Sequence, residues 1–276
     1  MSAGDTKEIR VVLLGKTGAG KSSLGNTLLG EDKFEIGRGL SSGTEVCQNA
    51  NAELDNMCLQ VTDTPGLCDT HRPEEEVLRE VAKSVAIAGP GPHVVLLVFR
   101  CDRRFTAEEY EAFCTLKNLF GPSVCNYSIV IFVGIDQLTS KTDERQAVLK
   151  EMLKSAPQAL KEILSDCSHR CFGVDNRAED RKSQAEELRG MIKSLVEENK
   201  GEFFQNSLFK EVNEHVERLI EQQMNTRSIT RDQATRETRF AILRDDPAEK
   251  SFLESVVNII RNVVNSPRFR ELCSVM

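Results

Sequence analysis

Apolar residues in this chain fall into short unbroken runs, separated by longer stretches in which they recur every three or four positions. The runs are Ile9 to Leu14, Val94 to Phe99 (VVLLVF), Ser128 to Val133 (SIVIFV) and, more weakly, Cys171 to Val174 (CFGV). Near-continuous apolarity over so few residues predicts strands buried on both faces of a parallel sheet. Two shorter strands flank Asp55-Asn56, a turn-forming pair, and predict a hairpin. Helical spacing predicts helices over SSLGNTLLG (stopped by Gly30), Glu74 to Ala88, Thr106 to Phe120, Asp143 to Leu164 with a break at Pro157, and Ser183 to Asn199. In the last of these Leu188, Met191, Ile192 and Leu195 form one stripe. Strands alternating with helices predict an α/β fold with a doubly wound, mostly parallel sheet and one antiparallel edge strand.

After Gly201 the alternation stops. Leu208, Val212, Val216 and Leu219 make one helical stripe, and Phe252, Val256, Ile259, Ile260 and Val263 make another. The expected organisation is an α/β domain over residues 7–200 and a helical C-terminal extension over 201–276, whose stripes pack as core or present a face to a partner or a membrane.

Composition adds exclusions. At 276 residues with 39% hydrophobic and 29% charged content, the chain has enough material for a large core. A net charge of −7 and no basic domain argue against nucleic acid as a partner. No apolar run reaches the roughly 20 residues a membrane span needs, and the polar N-terminus does not read as a signal sequence, so the expected location is cytoplasmic. Nine irregularly spaced cysteines read as small core residues of a reducing compartment. Cys167, His169 and Cys171 suggest a metal, but a zinc site needs about four ligands and no second pair stands nearby.

The strongest chemical signal is Gly15-Lys16-Thr17-Gly18-Ala19-Gly20-Lys21-Ser22, a complete G-x-x-x-x-G-K-[ST] between a predicted strand and helix, with Ser23 next in the helix. Glycines let the backbone wrap phosphates, and successive N–H groups with the helix N-terminus supply positive potential. Lys21 is expected on the β- and γ-phosphates and the Ser22 hydroxyl on Mg²⁺. About forty residues on, Asp63-Thr64-Pro65-Gly66 reads as D-x-x-G, with Asp63 holding Mg²⁺ and the Gly66 N–H sensing the γ-phosphate. The polar loop between them offers Thr44 as the switch threonine on Mg²⁺ and the γ-phosphate, with Ser41 and Ser42 as competitors. After SIVIFV, Asp136 stands where it could accept bonds from guanine N1 and N2, a pair that adenine lacks. The usual N-K-x-D is absent, because Val133 and Gly134 occupy the Asn and Lys positions. GTP or GDP with Mg²⁺ is therefore the expected ligand, and a P-loop ATPase or kinase the less favoured reading.

These motifs resemble the immunity-associated GTPases (GIMAP or IAN proteins), which share the avirulence-induced G domain. The resemblance covers about residues 8 to 220 and rests on GKTGAGKS, on Ser42-Gly43-Thr44-Glu45-Val46-Cys47 as an S-x-T-x-x-C switch, on DTPGLCDT, and on GPHVVLLVFRCDRRFTAEE as the family's own box. It implies that Asp136 reads guanine despite the missing Asn-Lys, and that Val174-Asp175-Asn176 is a fifth motif whose Asn176 touches the base. It also implies septin-like dimerisation or polymerisation through the nucleotide face in the GTP state, and extra C-terminal helices. Some members end in a hydrophobic anchor. Here CSVM, with Cys273 fourth from the end, has serine at the first aliphatic position, so an unmodified tail is expected and prenylation is the alternative.

For hydrolysis, the position after D-x-x-G, where Ras-like enzymes place a water-orienting glutamine, is Leu67, so slow intrinsic turnover is expected. Arg103 and Arg104 follow the Val94–Phe99 strand on the edge facing the nucleotide, and the family pattern favours Arg104. An arginine reaching across a dimer contributes about 10³–10⁵ in rate. Two readings remain at this point, a slow GTPase activated by dimerisation and a GTP-gated scaffold with negligible turnover.

Overall fold

The computed structural model describes residues 7–36, 47–54, 57–65, 74–141, 143–178, 181–244, 246 and 250–264. Thr44, Ser41, Ser42, Gly66, Leu67 and Cys273 lie outside them.

Among the described residues six strands form one sheet: β1 (Lys7–Leu14), β2 (Gln48–Leu54), β3 (Met57–Asp63), β4 (Val94–Arg100), β5 (Ser128–Val133) and β6 (Cys171–Val174). The order is β2-β3-β1-β4-β5-β6, and only β2 runs antiparallel, paired with β3. This is the mostly parallel sheet with an antiparallel edge that the apolar runs predict. β1 lies between β3 and β4, so the chain leaves it towards opposite sides, and the carboxyl ends of these strands border the crevice where such sheets bind ligands.

Alternation along the strands divides the core. Val11, Leu13, Leu96, Val98, Ile129 and Ile131 face α1 (Lys21–Leu29) and α6 (Arg181–Glu198) on one side. Val12, Leu14, Val95, Leu97, Phe99 and Phe132 face the other, which holds α2 (Glu74–Ile87), α3 (Ala107–Phe120), α4 (Arg145–Lys154) and α5 (Gln158–Asp166). Pro157 stands at the start of α5 and separates it from α4, where the missing N–H costs nothing.

Among the described residues three helices follow Gly201: α7 (Ser207–Arg227), α8 (Arg231–Leu243) and α9 (Lys250–Val264). Their apolar stripes join the core beneath α2 and α3: Leu208, Phe209, Val212, Val216 and Ile220 from α7, and Phe252, Leu253, Val256, Val257 and Ile260 from α9. Burying each such side chain is worth about 1.5–3 kcal/mol. The periodicity anticipates α7 and α9 but not α8. Its buried stripe is Ala234, Thr238 and Ile242, too weakly apolar to stand out. A capping box marks its start: Thr230 Oγ1 accepts from the Gln233 N–H at 3.3 Å, and Gln233 Oε1 accepts from the Thr230 N–H at 3.1 Å. That T-x-x-Q was the legible signal. Arg239 then donates to the Gly89 carbonyl at 3.1 Å, tying α8 to the loop before β4.

Candidate nucleotide site

The segment Gly15–Ser23 joins the end of β1 to the start of α1, where the sequence places it. Gly15 has to be glycine, because a Cβ there would stand 2.4 Å from the Val98 carbonyl oxygen. Lys21 is buried, and its ammonium donates to the carbonyls of Gly15 at 3.0 Å and Lys16 at 3.1 Å, which folds the side chain back over the loop. The Ser22 hydroxyl donates to Asp63 Oδ2 at 2.6 Å, joining two motifs 41 positions apart in sequence. Asp63 is fully buried at the end of β3, and the neighbouring Thr64 hydroxyl donates to the Leu13 carbonyl at 2.7 Å, locking β3 to β1 at this point. A hydroxyl and a buried carboxylate side by side form a hard oxygen donor set. That set fits Mg²⁺, which also retains waters and takes phosphate oxygens.

Beyond the loop opens a cavity of about 440 Å³, bordered by Gly20, Ser23, Arg100, Gly134, Asp136 and Asn176 among others. The volume is within the roughly 300–1,000 Å³ of small-molecule sites. Asp136 stands in a short 3₁₀ turn (Ile135–Gln137) directly after β5, and Gln137 donates to its Oδ2 at 2.6 Å. Asn176 follows β6, and its Oδ1 accepts from the Thr27 hydroxyl on α1 at 3.1 Å. The loop carrying Asn176 is fastened from behind. Asp175 is buried in an ion pair with Arg145 at 3.1 Å, and its backbone exchanges two hydrogen bonds with the Gln184 amide.

Two anchors bracket the segment that contains Thr44. Asn26 on α1 donates to the Phe34 carbonyl at 2.9 Å and accepts from the Lys33 and Phe34 N–H groups at 3.0 and 2.7 Å. At the far end the Cys47 N–H donates to Glu80 Oε2 on α2 at 2.7 Å, while Glu80 Oε1 accepts from Lys83 at 2.8 Å. Both charged residues are buried. Burial pushes the Cys47 thiol well up from its ordinary value, and the charges of Glu80 and Asp63 add to it.

Arg103 and Arg104 lie just beyond β4 on the same edge of the sheet as the glycine loop, and both side chains are exposed. Arg104 makes no ion pair with the described residues. Lys16 is instead paired with Glu108 in the first turn of α3. Sequence reasoning misses Asn26, Glu80 and Arg100. Asn26 and Glu80 act through partners that only the fold supplies, whereas Arg100 lies inside the box GPHVVLLVFRCDRRFTAEE, where the two arginines beyond it draw the attention.

The AIG1 family profile matches residues 9–223, from β1 into α7. The chain belongs to the AIG1 family. Among the relatives of this AIG1-family chain, Immune-associated nucleotide-binding protein 9 of Arabidopsis thaliana is 33% identical over 217 residues, covering 77% of the chain and 62% of the relative. Immune-associated nucleotide-binding protein 3 of the same plant is 32% identical over 216 residues, covering 77% and 64%. The chain thus spans less than two thirds of these curated relatives. Among solved structures, Toc33 from Arabidopsis thaliana in complex with GDP and Mg²⁺ superposes with a TM-score of 0.52 at 18% identity, over 69% of this chain and 84% of that one. A dimerisation-deficient Toc33 variant gives 0.52 at 19%, over 70% and 85%. At these identities the likeness concerns the fold, which is that of the P-loop GTPases.

Proposed function

We propose that this AIG1-family chain binds a guanine nucleotide with Mg²⁺ and hydrolyses GTP slowly, with turnover raised when two G domains meet across the nucleotide face. The observation that carries the reading is the contact of Ser22 with Asp63 at 2.6 Å, beside the buried ammonium of Lys21. In this reading Lys21 and the loop N–H groups take the β- and γ-phosphates, Ser22 and Asp63 hold Mg²⁺, Asp136 accepts from the guanine edge, and Asn176 borders the base. The metal neutralises charge developing on the phosphate oxygens. Thr44 and Gly66, as switch and sensor, complete the set.

Leu67 supplies no carboxamide to orient water, which favours outside help. In the chloroplast translocon components atToc33 and psToc159, dimerisation is important for the GTPase activity. Arg104, exposed on the sheet's nucleotide edge, is the group we assign to reach a partner's phosphates. The same Leu67 supports a second reading, a GTP-gated scaffold that assembles without useful turnover.

Phosphate release from GTP over a hundredfold range of protein concentration separates the two. Activity per molecule that climbs with concentration, and that falls by about 10³ or more in Arg104→Ala, is expected. Assembly with a non-hydrolysable analogue but flat, negligible release would replace the enzyme by the scaffold.

A further inference from the structure

N-K-x-D motifs put a lysine beside the base, and here that position is Gly134. The structure shows what stands in its place. Arg100, the last residue of β4, donates through Nε to Asp102 Oδ1 at 2.8 Å and through Nη2 to Asp102 Oδ2 at 2.6 Å. This two-point fork holds the guanidinium plane in a set orientation. Gly134 sits directly against it: a Cβ at that position would be 3.2 Å from Asp102 Oδ1 and 3.7 Å from Arg100 Nη2. With φ at +83°, the backbone of Gly134 also favours glycine over any lysine. The fork and the glycine are one arrangement, in which the bulk missing from position 134 is supplied by β4.

Arg100 lines the same 440 Å³ cavity as Gly20, Asp136 and Asn176, and its side chain remains 28% exposed. No aromatic side chain lines that cavity among the described residues, so a flat ligand ring finds no stacking partner of that kind. A guanidinium plane can stack on the ring in place of an aromatic one. Arg177 and Arg181 also border the cavity, but both are exposed and neither is forked to a carboxylate among the described residues.

We propose that Arg100, oriented by Asp102, is the cationic shelf on which the nucleotide base stacks, and so a further determinant of nucleotide affinity. The proposal rests on the reading of this cavity as a guanine-nucleotide site. Asp136 reads an edge of the ring, whereas Arg100 meets its face, so the two residues act on different properties of the ligand.

Calorimetric titration of the whole chain in excess Mg²⁺, with GDP, xanthosine diphosphate, ADP and pyrophosphate as probes, tests this. Arg100→Ala is expected to weaken GDP binding about tenfold while leaving pyrophosphate within twofold of wild type. Arg100→Lys should recover little, because it keeps the charge and loses the plane. Asp102→Asn, which loosens the fork, should cost about threefold for GDP. Stacking is blind to the ring's edge, so in an Asp136→Asn background Arg100→Ala should weaken xanthosine diphosphate by the same factor. Unchanged GDP affinity in Arg100→Ala, or equal losses for GDP and pyrophosphate, would overturn the shelf while leaving the guanine reading intact. Wild-type protein that binds GDP and ADP equally would overturn the guanine reading itself. Thermal midpoints without nucleotide confirm that each variant is folded.

Discussion

Lys21 donates to two loop carbonyls from a buried position, so its ammonium already points along the inner wall of the cradle. Removing it in Lys21→Ala deletes charge-assisted bonds worth about 1.5–3 kcal/mol each, and GDP affinity should fall roughly 10- to 150-fold per bond lost. Ser22→Ala should behave differently. Its loss should appear when Mg²⁺ is present and shrink in chelator, because the hydroxyl at 2.6 Å from Asp63 belongs to the metal's side of the site. Asp136→Asn should turn preference from guanosine towards xanthosine diphosphate, measured by competition, and unchanged selectivity would mean that another group reads the base. The cradle was legible because its chemistry is local: eight consecutive residues carry it, and a tetrapeptide completes it. Asn26 and Glu80 were not legible, since an asparagine within a helix and a glutamate near a lysine gain meaning only from Phe34 and Cys47, which the fold delivers to them.

The loops on the base side draw their precision from elements behind them. Asp175 and Arg145 are both buried, and Arg145→Met would leave a carboxylate without its cation, a loss of about 3–5 kcal/mol in urea unfolding. Because the pair fastens the Asn176 loop, nucleotide affinity should fall too. Lys154→Ala, which breaks an exposed pair with Glu151, should change stability by less than about 0.5 kcal/mol. Strands were the easiest elements to read, since runs such as VVLLVF have few alternatives once helices lie on both faces of the sheet. α8 was the hardest. Its stripe contains a threonine, and its position is set by contacts such as Arg239 with Gly89 rather than by apolar pattern.

Across the whole molecule, α7 and α9 are joined by the stacking of His215 on Phe252, with ring centroids 4.3 Å apart and planes 8° from parallel. Burial, assisted by Arg218, lowers the His215 pKa from its ordinary 6.5. The sign follows directly. Above about 6.5 the imidazole is neutral folded or unfolded and costs nothing, whereas below it the unfolded chain takes up a proton that the folded chain resists. Stability should therefore decline as pH falls below about 6.5, seen as a lower thermal midpoint, and His215→Phe should flatten that decline while keeping the stack. The overall topology was readable from the alternation of patterns. That α7–α9 share the core of α2 and α3 was not, because stripes announce burial without naming what covers them. The bond between Thr27 and Asn176 spans 149 positions, and it carries a consequence for synthesis. Every described residue of the phosphate side has been made once the ribosome reaches residue 65, but Gln184, which fastens the base-side loop, comes about 120 residues later. At about 5–20 residues per second that is a delay of roughly 6–24 s, during which a nascent chain can offer a hold for phosphate but no fastened Asn176 loop beside the base. Stalled chains ending before and after α6 should differ accordingly: both retained on a phosphate resin, and the longer released by lower concentrations of GDP than the shorter.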